Sequence, residues 1–101
     1  MSSRFVFRGF GDESLEKEAS QRLSRLMDGA PYDATSAALL EKIDSGYSAS
    51  VDIYSTHGPF MARAVAPTAK EALDKVLVKI GQRLESWRLR RFNFAADVGV
   101  A

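Results

Sequence analysis

Residues Arg4-Phe5-Val6-Phe7-Arg8 alternate at period two, with Phe5 and Phe7 toward one face and Arg4 and Arg8 toward the other, which predicts a half-buried strand. Gly9-Phe10-Gly11 interrupts it. Asp12 is placed as an N-cap, Glu13 and Glu16 occupy the first turn, and Leu15, Ala19, Leu23, Leu26 and Met27 recur on one helical stripe. Arg22 and Arg25 fall in the last turn and Gly29 reads as the C-terminal stop, so a helix is expected over about residues 13 to 27. The segment Gly29 to Thr35 is a loop by composition, and Ser36 to Asp44 is read as a strand rather than a helix mainly from context. Tyr47, Ala49, Val51 and Ile53 alternate with polar residues, a turn follows at Thr56-His57-Gly58-Pro59, and Phe60, Ala62 and Ala64 alternate with Met61, Arg63 and Val65. These strands form a meander. Thr68 with Glu71 three residues on makes a capping-box pattern, after which Ala69, Ala72, Leu73, Val76, Leu77, Ile80, Leu84 and Trp87 form one apolar stripe.

The order βαβββα predicts an α+β fold in which two helices cover one face of a four-stranded sheet. Residues 1–91 form the expected single domain. Phe92, Phe94, Ala96, Val98 and Val100 alternate in the tail 92–101, which is read as a flexible terminus or an added edge strand.

With 101 residues, 46% hydrophobic and 27% charged, the composition fits one globular domain with a core of its own. Cysteine is absent, which removes disulfides, thiolate metal sites and a thiol nucleophile. No signal-like or membrane-spanning apolar run is visible, so a cytoplasmic protein without membrane attachment is expected. Catalysis finds little support. The single histidine, His57, falls in a turn with no motif-placed partner, and no metal, P-loop or nucleophile-elbow motif occurs, so no catalytic or metal residue is assigned and no cofactor or small-molecule substrate is expected. Asp52 reads as a solubilising residue on a wet strand face. Arg8-Gly9-Phe10-Gly11 starts like an RNA-stacking motif, but Asp12 and Glu13 stand where aromatic and aliphatic residues must follow.

Net charge is only +1, yet residues 67 to 91 carry seven basic residues against three acidic ones. At helical pitch Lys75, Lys79, Arg83 and Arg90 fall within about 80° of one another on one flank of the apolar stripe, whereas Glu71, Asp74 and Glu85 lie around the far side. Arg22 and Arg25 of the first helix would join this ridge in one platform if the helices pack side by side. Such a surface suits phosphate backbones without reading sequence. The competing reading is a solvated stripe, since Lys and Arg favour helix C-terminal ends and cover apolar edges. Trp87 falls in the apolar stripe and is read as core.

Ala62-x-Ala64 followed by Ala72-Leu73-Asp74, Lys79-Ile80 and Arg83-Leu84, together with Arg22-Leu23-Ser24-Arg25-Leu26, resembles the motif order of the short ribosome hibernation promoting factors and ribosome-associated inhibitor protein Y. The likeness spans roughly residues 4 to 91. It implies a non-enzymatic protein that binds the small ribosomal subunit and its rRNA in the mRNA/tRNA decoding channel and inhibits translation under stress or in stationary phase. Carried over by position, it nominates Arg22, Arg25, Lys79 and Arg83, with Arg88 and Arg90 matching a helix end that is lysine-rich in family members. Lys75 joins from the ridge and Arg91 from the end of the basic segment, completing the candidate RNA-binding set. Trp87, Leu89 and the apolar tail depart from the family, as does the low net charge. No linker and dimerisation domain of the long members follows, and a monomeric free form is left open. The alternative is a protein-interaction module using the sheet edge or the apolar tail.

Overall fold

The computed structural model describes the backbone of residues 4–100 and the side chains of residues 4–90. The chain runs β1 (Phe5–Arg8), α1 (Glu13–Met27), β2 (Thr35–Ile43), β3 (Gly46–Ser55), β4 (Gly58–Ala66) and α2 (Ala69–Val100). The strands form one sheet in the order β1-β2-β3-β4. β1 pairs in parallel with β2 through the α1 crossover, while β2–β3 and β3–β4 are antiparallel. This is the expected α+β architecture, with the two helices on one face.

Alternation along the strands sends Phe5, Leu40, Ala49, Val51, Ile53, Phe60, Ala62 and Ala64 into that face, where they meet Ala19 and Leu23 of α1 and Leu73, Val76, Ile80 and Leu84 of α2. Each large side chain fully buried here, such as Phe5, Leu23, Ile53 or Ile80, contributes about 1.5–3 kcal/mol. α2 lies over β4 and β3, and α1 sits beside β1 and against α2. The opposite face of the sheet stays bare, exposing Val6, Tyr54, Met61 and Val65.

Local chemistry sets the element ends. Asp12 Oδ1 accepts from Leu15 N at 3.0 Å and Thr68 Oγ1 from Glu71 N at 3.2 Å, so both N-caps form as the sequence predicts. The stop at Gly29 works differently from the expectation. Gly29 is not left-handed; α1 instead closes by a tightened turn, with Gly29 N bonding Leu26 O and Ala30 N bonding Met27 O. At Gly46 the glycine is obligatory, because its φ is +148° and a Cβ would stand 2.5 Å from Ala66 O.

The tail also differs. α2 continues to Val100, so the backbone of residues 92–100 is helical and not an added edge strand. Extending an established helix adds one hydrogen bond per residue fixed, whereas a new strand must first find an edge. The side chains of this tail lie outside the described residues.

Candidate nucleic-acid interface

α2 presents two flanks to solvent, and the fold gives each its own neighbour. On one side is β4, the outermost strand; on the other is α1. Two grooves follow from this placement.

The groove beside β4 is lined by Lys79, Arg83 and Arg90 from α2, by His57 and Trp87, and by Arg63 at the rim of β4, where the strand alternation sets it with Met61 and Val65 toward the bare face of the sheet. Lys79 Nζ donates to Arg63 O at 2.9 Å, which holds the lysine over the strand edge and occupies one of its free acceptors. Among the described residues, no carboxylate pairs with Arg63, Lys79, Arg83 or Arg90. Lys75 stands exposed one turn before Lys79, outside the groove lining. Cations held at fixed spacing without internal counter-charges keep their full attraction for an external anion.

The groove beside α1 is lined by Arg25 and Arg88, with Asp28 and Glu85 among them and Leu26, Leu77 and Gly81 as an apolar floor. Farther toward the start of α2, Arg22 is consumed by internal pairing. Its Nη1 lies 2.6 Å from Asp74 Oδ1 and 3.4 Å from Glu18 Oε2, and Lys70 pairs with the same Glu18. The Lys70 ammonium, as the leading cause, holds the Glu18 carboxyl below its ordinary pKa.

The nominated cations therefore do not form one platform. Lys79, Arg83 and Arg90 share the β4 groove; Arg25 and Arg88 line the other; Arg22 locks α1 to α2. The side chain of Arg91 lies outside the described residues. The physical reason is the orientation of α2: its acidic flank, with Asp74 and Glu85, faces α1, so Arg22 pairs with Asp74 and Arg25 shares a groove with Glu85 instead of extending the ridge.

His57 and Trp87, which the sequence placed in a turn and in the core and not in the binding set, complete the β4 groove. His57 sits in the β3–β4 turn, where Ser55 Oγ accepts from His57 N at 3.1 Å and donates to Gly58 O at 3.1 Å. Gly58 takes φ +110°, a conformation glycine adopts without strain. The Asp33 carboxylate accepts from Thr56 N at 2.9 Å, tying the turn to the loop before β2. That N–H is the main cause of the lowered Asp33 pKa. The turn thus sets the His57 ring 5.3 Å from Trp87, which in turn meets Phe60 edge-on at 6.1 Å. Trp87 is half-buried and packs against the core, as its place in the stripe predicts, but it also lines the groove.

Among the described residues there is no cluster of three or more His, Cys, Asp or Glu side chains that could hold a metal, and no helix is long and apolar enough to cross a membrane.

No protein-family model and no curated protein matches the chain. Solved structures do. The Protein Y N-terminal domain of Thermus thermophilus superposes with a TM-score of 0.71 at 10% identity, covering 86% of this chain and 99% of that one. A ribosomal subunit interface protein from Coxiella burnetii gives 0.65 at 10% identity, covering 85% of this chain and 96% of its own. At that identity the likeness is one of fold.

Proposed function

We propose that the protein is a ribosome-binding inhibitor of translation that docks on the small subunit in the mRNA/tRNA decoding channel. The β4 groove and the adjoining crown of α2 meet rRNA phosphates there, and the bound domain blocks the path of mRNA and tRNA, in the cytoplasm of starved or stationary cells. The observation that carries this reading is the set Lys79, Arg83 and Arg90, three cations of α2 along one groove without an internal carboxylate partner among the described residues. The fold likeness supplies the partner class, since the matching structures are described as Protein Y and a ribosomal subunit interface protein. The arrangement reads backbone and shape rather than sequence, because arginine and lysine contacts to phosphate position a protein without distinguishing bases.

Co-sedimentation with purified small subunits across a salt series tests the proposal. Binding should weaken steeply with salt as counterions are released from each neutralised phosphate. In a reconstituted translation reaction the protein should lower peptide yield in proportion to subunit occupancy. No association with small subunits at low salt, or association insensitive to salt, contradicts it.

A further inference from the structure

The β4 groove has a floor as well as a wall. Cations alone would suit any polyanion, but this groove also brings the exposed ring of His57 beside the half-buried indole of Trp87, tilted 53° to it, with Phe60 edge-on to the indole. Gln82 and Ser86 of α2 line the same space and offer polar groups at the level of the rings. The helix positions from Lys79 to Arg90 extend over about 16 Å of axis, room for several nucleotides of one strand.

We propose that this groove is a binding site for single-stranded RNA, in which an unpaired base stacks on the His57 imidazole and the neighbouring phosphates lie along Lys79, Arg83 and Arg90. The inference rests on the ribosome-binding reading for its setting and deepens it by naming the kind of RNA held and how. A paired base cannot use the floor, because stacked neighbours cover both its faces and its partner occupies its edge. A base splayed from a single strand brings a free face to the ring. Aromatic stacking beside a basic track is the combination that holds single strands with little regard to sequence, since every base has a π-face. The turn that carries His57 is fixed by Ser55 and Asp33, so the ring is placed before RNA arrives and little ordering is required on binding.

Trp87 is the sole tryptophan of the sequence, so its fluorescence reports on this groove directly. The full chain is titrated with an eight-nucleotide oligouridylate, a duplex RNA of equal length and inorganic tripolyphosphate, with anisotropy of the labelled RNAs as a second readout. The single strand should quench the indole and bind at least fivefold tighter than the duplex. His57→Ala should weaken the single strand about tenfold, the scale of one base–aromatic stack. It should leave duplex affinity within twofold, and His57→Phe should restore single-strand binding. The backbone bonds of the turn do not involve the imidazole, so these variants keep the fold. Equal affinity for duplex and single strand, or His57→Ala binding like the wild type, overturns the assignment. So does tripolyphosphate quenching at equal affinity. Small-subunit association without single-strand preference defeats the stacking site alone, while single-strand preference without small-subunit association upholds it and defeats the ribosomal setting.

Discussion

The grooves on the two sides of α2 are close in size, roughly 560 Å³ beside β4 and roughly 630 Å³ beside α1. Their difference lies in the carboxylates that line one groove and not the other. On the β4 side, Lys79, Arg83 and Arg90 of α2 line the groove with no carboxylate partner among the described residues. On the α1 side, Asp28 and Glu85 accompany Arg25 and Arg88, and Arg22 is tied to Glu18 and Asp74. On one flank Arg22 and Lys70 use their charge to hold two helices together, and on the other Lys79, Arg83 and Arg90 leave theirs available to a partner. A net charge of +1 conceals this division.

The comparison is broken most directly by reversing charge on each flank in turn. Lys79→Glu, Arg83→Glu and Arg90→Glu together should weaken small-subunit binding by about a hundredfold or more, whereas Arg25→Glu with Arg88→Glu should cost less than about tenfold. Co-sedimentation reads both, and circular dichroism should show the fold retained in both. A smaller effect is expected from Asp33→Ala, which releases Thr56 N and loosens the turn under His57. Single-strand affinity should fall about threefold, a part of the stacking contribution, while duplex affinity holds.

Acid acts on both flanks. The folded chain holds Glu18 and Asp33 ionised at pH values where the unfolded chain protonates them. Their contribution to stability is therefore complete above the ordinary carboxylate range and drains away as pH falls below about 4. The thermal midpoint should drop across that window, and Glu18→Gln should flatten part of the drop. The smallest expected effect is that of Arg22→Met. The pairs it removes are partly exposed, with side-chain exposures of 31% for Arg22 and 45% for Asp74. The midpoint should fall by no more than about 4 °C, and small-subunit binding should be unchanged.

Much of the fold was legible because its elements carry clean periods. Phe5 and Phe7, the Val51–Ile53 alternation and the long Leu73–Leu84 stripe each point to one geometry, and Asp12 and Thr68 mark their helices by ordinary capping chemistry. β2 was harder to read, since in Thr35–Ile43 only Ala38 and Leu40 are buried and the segment is placed by pairing with both β1 and β3. The site was legible in its parts and not in its assembly. Helical pitch groups Lys79, Arg83 and Arg90, but nothing local says that α2 turns this flank to the edge strand, so Arg63 carries no signal of its own. The Arg22–Asp74 pair joins residues 52 positions apart, and Asp74 claims Arg22 only once α1 and α2 are docked. His57 advertises a turn, and its approach to Trp87 depends on the β3–β4 register together with the seating of α2.

The most direct measurement is the salt dependence of small-subunit binding, taken residue by residue. Replacing Arg83 and Arg90 by methionine should lower the log–log slope by about two, one for each phosphate no longer neutralised, while replacing Arg25 and Arg88 in the same way should leave the slope unchanged. The reverse pattern, or equal reductions from both pairs, would contradict the assignment of RNA binding to the β4 flank.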